Sequence, residues 1–200
     1  MRRRHLIVFA RQSRLGRGKT RLAAGIGRLE AWRFSRLVLA ALLRRLGGDP
    51  RWTLTVAVAP DRAAAMRGWP PGAGRRVAQG GGDLGRRMAR ALAAPPPGPA
   101  VLVGSDIPDI RAPHIVAAFR ALGRHDAVFG PAGDGGYWLV GVRRLRALPR
   151  GMFAGVRWSS PHALADSVAS LPRRHAVGLV DTLDDVDDAA GWRRWRAGSR

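Results

Sequence analysis

Apolar runs of strand length alternate with segments of helical period along this chain, and that alternation restricts its possible folds more than any other feature. HLIVFA (5–10) is a continuous apolar run ending in a loop of Gly and Arg, as a strand buried on both faces does. TLTVAVA (53–59) and AVLVG (100–104) repeat the pattern, and RRVAQ (75–79) reads as a shorter strand. DAVFG (126–130) and GYWLVGV (136–142) are split by PAGDG, and HAVGLV (175–180) follows. Between them lies a helix over 28–46, with Phe34, Val38, Ala41 and Leu42 at helical spacing, stopped by Gly47-Gly48-Asp49-Pro50. Further helices are expected over 83–93, 113–122 and 161–170, and from Val186 to Arg196, the last with acidic residues in its first turn. Such alternation predicts an α/β fold, a three-layer α/β/α sandwich with a mostly parallel sheet. There is no internal repeat, and PPPGP at 95–99 is an ordinary helix-to-strand connection, so residues 1–200 are expected to form a single domain.

Composition excludes several chemistries. The chain has no cysteine, which removes disulfides, Cys-ligated zinc, iron–sulfur clusters and a thiol nucleophile. No apolar run reaches the ~20 residues that span a bilayer, and the apolar stretch of MRRRHLIVFA is too short for a signal peptide. The expected address is the cytoplasm. A net charge of +21 invites a nucleic-acid reading. The charge is carried by 34 Arg and one Lys, however, spread along the whole chain without a basic tract. Nonspecific attraction to polyanions is therefore expected, and no specific nucleic-acid partner. The five histidines (5, 114, 125, 162, 175) form no metal or catalytic spacing, and no G-x-S-x-G elbow is present.

In an open α/β sheet, ligands bind beyond the carboxyl ends of the strands. Three loops leave such ends with unusual polar content. In ARQSRLGRGKTRLA, Gly16 and Gly18 let backbone amides approach a ligand, while Lys19 and Arg21, with Arg14 and Arg17, supply cations ahead of a helix N-terminus. A solvated basic turn is the plain alternative, and a P-loop is the stricter one. Gly18-Lys19-Thr20 fits the P-loop's end, but Ser13 stands where its first glycine belongs. In VLVGSDIPDI, Asp106 sits at the tip of a buried strand, where a carboxylate calls for a cation, and Mg²⁺ takes such ligands together with substrate phosphates. Asp109 is as readily a helix cap. In FGPAGDGGYWLVG, Asp134 is flanked by Gly133, Gly135 and Gly136 and followed by Tyr137 and Trp138, a flat and partly polar wall for a small ligand. Gln79 and Asp83 lie around glycines after the third strand, suited to ribose or base contacts, with an N-cap role open for Asp83. Asp181, Asp184, Asp185, Asp187 and Asp188 crowd the C-terminal region, where an acidic helix start explains most of them and one could serve as a second metal ligand.

FAR…G…KTRLA, Q…GDLG.RM, GSDIPDI, FGPA.DGGYWLVG and GVRWSSPHAL, in that order, resemble the small single-domain transferases of the GT-A, or nucleotide-diphospho-sugar transferase, superfamily. Those proteins include candidate glycosyltransferases associated with radical-SAM gene neighbourhoods, and they are similar to phospholactate guanylyltransferase and molybdenum-cofactor guanylyltransferase. The resemblance spans about residues 5–190. It implies that Arg11, Gly16, Lys19 and Arg21 hold the nucleotide phosphates and that Gln79, Gly82 and Asp83 lie near base and ribose. It implies Asp106 as the principal metal ligand, with Asp185 of Asp185-Val186-Asp187 as a second. Asp134, Gly135, Gly136, Tyr137 and Trp138, with Trp158 and Ser159, would shape an acceptor pocket. Where the family carries Pro and a second small residue in the first loop, this chain reads Gln12-Ser13-Arg14-Leu15.

The expectation is a Mg²⁺- or Mn²⁺-dependent transferase with a nucleotide-activated donor. Glycosyl transfer from a nucleotide sugar to a small-molecule acceptor leads, and Asp106 and Asp134 are its catalytic carboxylates. The alternatives are a nucleotidyltransferase that uses a nucleoside triphosphate and releases pyrophosphate, or a noncatalytic nucleotide- or RNA-binding module.

Overall fold

The computed structural model describes residues 3–15 and 18–198. Seven strands make one sheet: β1 (His5–Arg11), β2 (Thr53–Ala59), β3 (Arg75–Ala78), β4 (Ala100–Gly104), β5 (Ala127–Pro131), β6 (Tyr137–Val142) and β7 (Val177–Leu179). Their order across the sheet is β3-β2-β1-β4-β6-β5-β7. β1 pairs in parallel with β2 and β4, β2 with β3, and β5 with β7. β6 runs antiparallel to both its neighbours, β4 and β5.

Period-2 alternation divides each central strand between two cores. Leu6, Val8, Ala10, Val101 and Val103 face one layer, built from Leu39, Leu42 and Leu43 of α2 (Arg28–Leu46) and Ile115 and Phe119 of α4 (Ala112–Ala121). Ile7, Ala100 and Leu102 face the other, built from Met88 and Leu92 of α3 (Leu84–Ala93) and Ala163 of α5 (Ala163–Ala169). A smaller cluster ties α1 (Thr20–Ile26), the start of α2 and α6 (Ala189–Gly198) through Leu22, Phe34, Val38 and Val186, with Trp192 and Trp195 packed against it. The three-layer sandwich expected from the alternation is present. No helix among the described residues is long and apolar enough to cross a membrane.

Two local departures from the sequence reading shape the site. The C-terminal helix begins at Ala189, not Val186, with Asp188 capping it through the Gly191 amide at 2.7 Å. Residues 181–188 instead form an irregular strap across the strand ends, because backbone groups in it find partners there. Leu183 N–H donates to Pro131 O at 3.1 Å and Val186 N–H to Asp106 O at 3.3 Å. The second departure is the aromatic pair. The register between β5 and β6 shifts at Gly130/Pro131, so Gly130 faces Leu139 and Pro131 faces Tyr137. This irregularity re-aims Trp138, whose ring packs over Gly130, where any Cβ would lie 2.5 Å from it. As successive residues of β6, Tyr137 and Trp138 point to opposite faces of the sheet and join opposite cores.

Candidate active site

The carboxyl end of β4 carries Gly104-Ser105-Asp106. A Cβ at Gly104 would lie 3.0 Å from Asp106 Oδ1 and 2.8 Å from Ile107 Cδ1, so a larger residue there would displace the tips of both side chains. The strap delivers the other two acids. Asp185 and Asp187, two residues apart on it, both come within reach of Asp106. One carboxylate oxygen from each of the three lies within 4.8 Å of the others. The strap is pinned along its length: Asp184 Oδ1 accepts from Gly133 N–H at 2.8 Å, and Trp138 Nε1–H donates to Asp181 O at 2.9 Å.

Lys19 is drawn into this acidic group. Its Nζ donates to Asp106 Oδ2 at 2.9 Å, to Val186 O at 2.9 Å and to Asp187 Oδ1 at 3.1 Å. The side chain is 15% exposed, so it is not the solvated loop cation that the sequence suggested. Burial works against the charged ammonium, yet Asp106 and then Asp187 outweigh it and hold the pKa above the usual lysine value. To place the ammonium there, Lys19 adopts φ 47°, ψ 44°, a left-handed conformation that non-glycine residues seldom take and that concentrates at functional positions. Arg21 pairs with the other oxygen of Asp187 from the solvent side, being 78% exposed. Asp185 has no ion pair among the described residues. Burial, and next the charge of Asp106, push its pKa up to about 6, with Asp187 and Asp134 adding and Lys19 opposing. Three carboxylates offering hard oxygen donors at this spacing, one of them starved of positive charge, fit Mg²⁺ or Mn²⁺.

Two clefts meet at Asp106. The larger, about 540 Å³, runs from Asp106, Asp187 and Lys19 along the first loop to α2, past Arg11, Arg14, Arg28 and Trp32. The smaller, about 190 Å³, lies on the other side and holds Asp106, Asp134, Asp185 and Trp158. Among the described residues, no Lys or Arg lines the smaller cleft.

The sequence-derived candidates separate on this map. Arg11, Gly18 and Lys19 line the larger cleft, Arg21 flanks it through Asp187, and Gly16 lies outside the described residues. Asp134, Gly136, Trp158 and Ser159 line the smaller cleft, as do parts of Tyr137 and Trp138. The hydroxyl of Tyr137 is hydrogen-bonded to Ser167 at 3.1 Å, and burial raises its pKa despite that bond. Gly135 serves the backbone: at φ +83° it lies so close to Pro161 that a Cβ would stand 2.2 Å from the carbonyl oxygen. Gln79, Gly82 and Asp83 line neither cleft. The Gln79 amide donates to Ala10 O at 3.1 Å and Ala57 O at 3.0 Å and accepts from Arg87 at 3.0 Å, which commits both of its N–H donors and one acceptor site inside the protein. Asp83 caps α3, accepting from Arg86 N–H at 2.7 Å, and Gly82 packs beside the Arg86 stem. Asp187 was visible in the sequence only as one of a crowd, although its i, i+2 relation to Asp185 was the available signal. Trp32 and Arg28 gave no signal, because their place in the cleft depends on how α2 packs.

Residues 42–160 match a family model described as "Uncharacterized protein conserved in bacteria (DUF2064)". The chain belongs to that family. No curated protein matches the sequence. Among solved structures, this DUF2064 protein is similar to a candidate nucleotide-diphospho-sugar transferase from Desulfovibrio desulfuricans G20, at 29% identity and TM-score 0.80, over 94% of this chain and 84% of that one. CMP:2-keto-3-deoxy-manno-octonic acid synthetase complexed with CTP shares the fold at 14% identity and TM-score 0.55, over 99% and 98% of the chains. Rv0371c of Mycobacterium tuberculosis H37Rv, in complex with manganese, does so at 19% identity and TM-score 0.54, over 96% and 97%. The DUF2064 protein thus has the fold of the nucleotide-diphospho-sugar transferases.

Proposed function

We propose that this protein is a divalent-metal-dependent transferase that takes a nucleotide sugar in the larger cleft and passes the sugar to a small hydroxyl acceptor in the smaller one. The observation that carries the reading is Asp106, which lines both clefts and joins Asp185 and Asp187 between them. The larger cleft has the volume of a nucleotide site and the cations for a diphosphate, in Arg11, Arg14, Arg28 and Lys19. Arg11, Gly18, Lys19 and Arg21 are assigned to the phosphates, and Asp106, Asp185 and Asp187 to the metal. A metal held there would neutralise the leaving diphosphate. The smaller cleft holds Asp134, Asp106 and Asp185, of which Asp106 alone is paired with Lys19, and no Lys or Arg is among its described lining residues; this excess of negative charge disfavours an anionic acceptor and suits a neutral hydroxyl. Asp134 accepts the hydroxyl proton as the acceptor oxygen attacks the anomeric carbon, and the bond from that carbon to the diphosphate breaks. Gly136, Trp158 and Ser159 border the acceptor. The related proteins support a nucleotide donor and a divalent ion, one being described with CTP and another with manganese.

Nucleotidyl transfer is the second reading, favoured by three arginines in the larger cleft, enough for a triphosphate. The leaving group separates the two. Incubation with nucleotide sugars and Mn²⁺ should release nucleoside diphosphate, slowly even with water as acceptor. Pyrophosphate release from a triphosphate, with no nucleotide sugar turned over, would reverse the order.

A further inference from the structure

An ammonium group has three N–H donors, and Lys19 spends all three on Asp106, Val186 and Asp187. Seated so, it has none left for a phosphate. It also engages two of the three carboxylates that could hold a metal. A divalent ion that took oxygens from both Asp106 and Asp187 would stand against the ammonium, and two cations repel at such range. The lysine stem is flexible, and the cleft that begins at Lys19 is lined by Arg11, Arg14 and Arg28, so it offers an anion-receiving space next to the seat.

We propose that Lys19 is an internal counter-ion keeping the metal's seat, and that it leaves only when a metal and a phosphoanion arrive together. The inference rests on the transferase reading and narrows its ligand to a metal–diphosphate pair. A metal alone would have to expel the ammonium with no anion to receive it. A phosphoanion alone would draw Lys19 away and leave three carboxylates without it. Together, the metal replaces Lys19 on Asp106 and Asp187, and Lys19 turns to the diphosphate. By linkage, each ligand then tightens the other by the same factor.

The chain has one lysine, so protein labelled with ¹⁵N at lysine Nζ gives a single side-chain resonance. We expect that resonance to stay in place with Mg²⁺ alone and with pyrophosphate alone, each at millimolar concentration, and to move when both are present. In parallel, calorimetry with Mn²⁺ alone should show Lys19→Met binding the metal at least tenfold more tightly than the unaltered protein. Arg33→Met removes an exposed charge that pairs with Glu30 and lines neither cleft, and should change that affinity less than about threefold. Saturation with Mg²⁺ or Mn²⁺ while Lys19 remains in its seat would overturn the proposal. So would a resonance that stays fixed with both ligands bound, or equal metal affinity in Lys19→Met. Failure of the unaltered protein to bind metal and pyrophosphate under any condition would remove the transferase reading along with it.

Discussion

Asp106 lines both clefts and joins Asp185 and Asp187, yet it is 40% exposed and its partner Lys19 sits on a flexible stem. Asp106→Asn keeps the shape and withdraws the charge, so the fold should lose only about 1 kcal/mol, the scale of a partly exposed ion pair. Metal-dependent donor binding should fall at least 100-fold. Paired thermal unfolding and calorimetry check both halves, and a large loss of fold stability with metal affinity intact would make Asp106 structural. Asp134 separates chemistry from binding, since Gly136 N–H is its recorded partner, at 2.9 Å. Asp134→Ala should lower turnover by about 100-fold if a general base is lost, and change donor affinity little. Asp185 supplies the pH dependence. Its pKa near 6 in the fold stands above that of an unstructured aspartate, so between about pH 4 and 6 the native state holds more protons than the unfolded one. Stability of the metal-free protein should therefore fall as pH rises through that window. Metal affinity should rise through it, because the ligand must be ionised. Melting curves with and without Mn²⁺ from pH 5 to 7 should converge toward acid and diverge toward neutrality.

At the scale of elements, the site depends on the strap over residues 181–188 staying against the β5–β6 turn. Asp184→Ala frees Gly133 N–H and should cost about 1 kcal/mol of stability, while weakening metal binding by misplacing Asp185 and Asp187. Gly135→Ala should cost more, about 2 kcal/mol or above, because it combines φ +83° with a Cβ 2.2 Å from a backbone oxygen. Denaturant unfolding of the two variants measures the difference. The same elements mark what could be read from the chain alone. α2 falls at Arg28–Leu46, as its periodicity and the Gly47-Gly48 stop indicate, because both signals are local. β1, β2 and β4 follow from apolar runs with Gly or Pro punctuation. The sequence starts the last helix at Val186, because clustered aspartates favour a helix start. What holds 186–188 in the strap instead is a set of partners on Asp106 and Pro131, remote in sequence. The place of β6 between β4 and β5, and the register shift at Gly130/Pro131, are likewise products of pairing between segments. Of the site, Asp106, Lys19 and Asp134 were legible as polar residues at strand ends. The internal use of Gln79 was not, because its partners lie on β1, β2 and α3.

Across the whole molecule, a +21 chain carries a diffuse positive field on top of one acidic focus. The two should be separable in solution. Binding of a random oligonucleotide should weaken steeply and smoothly with salt and ignore Mn²⁺, whereas donor binding should require the ion and vary less with salt. Filter binding across a salt series, with Mn²⁺ or EDTA, checks this, and oligonucleotide binding that depends on the metal would favour a nucleic-acid module. The central claim is that the sheet brings Asp106, Asp185 and Asp187 together as a metal seat between a donor cleft and an acceptor cleft. Crystals soaked with Mn²⁺ and a nucleoside diphosphate test it most directly, through anomalous scattering at the manganese edge. The account predicts one strong peak among those three carboxylates, with the diphosphate beside it in the larger cleft toward Arg11, Arg14 and Arg28. A peak elsewhere, or a diphosphate bound with no metal at this seat, would contradict it.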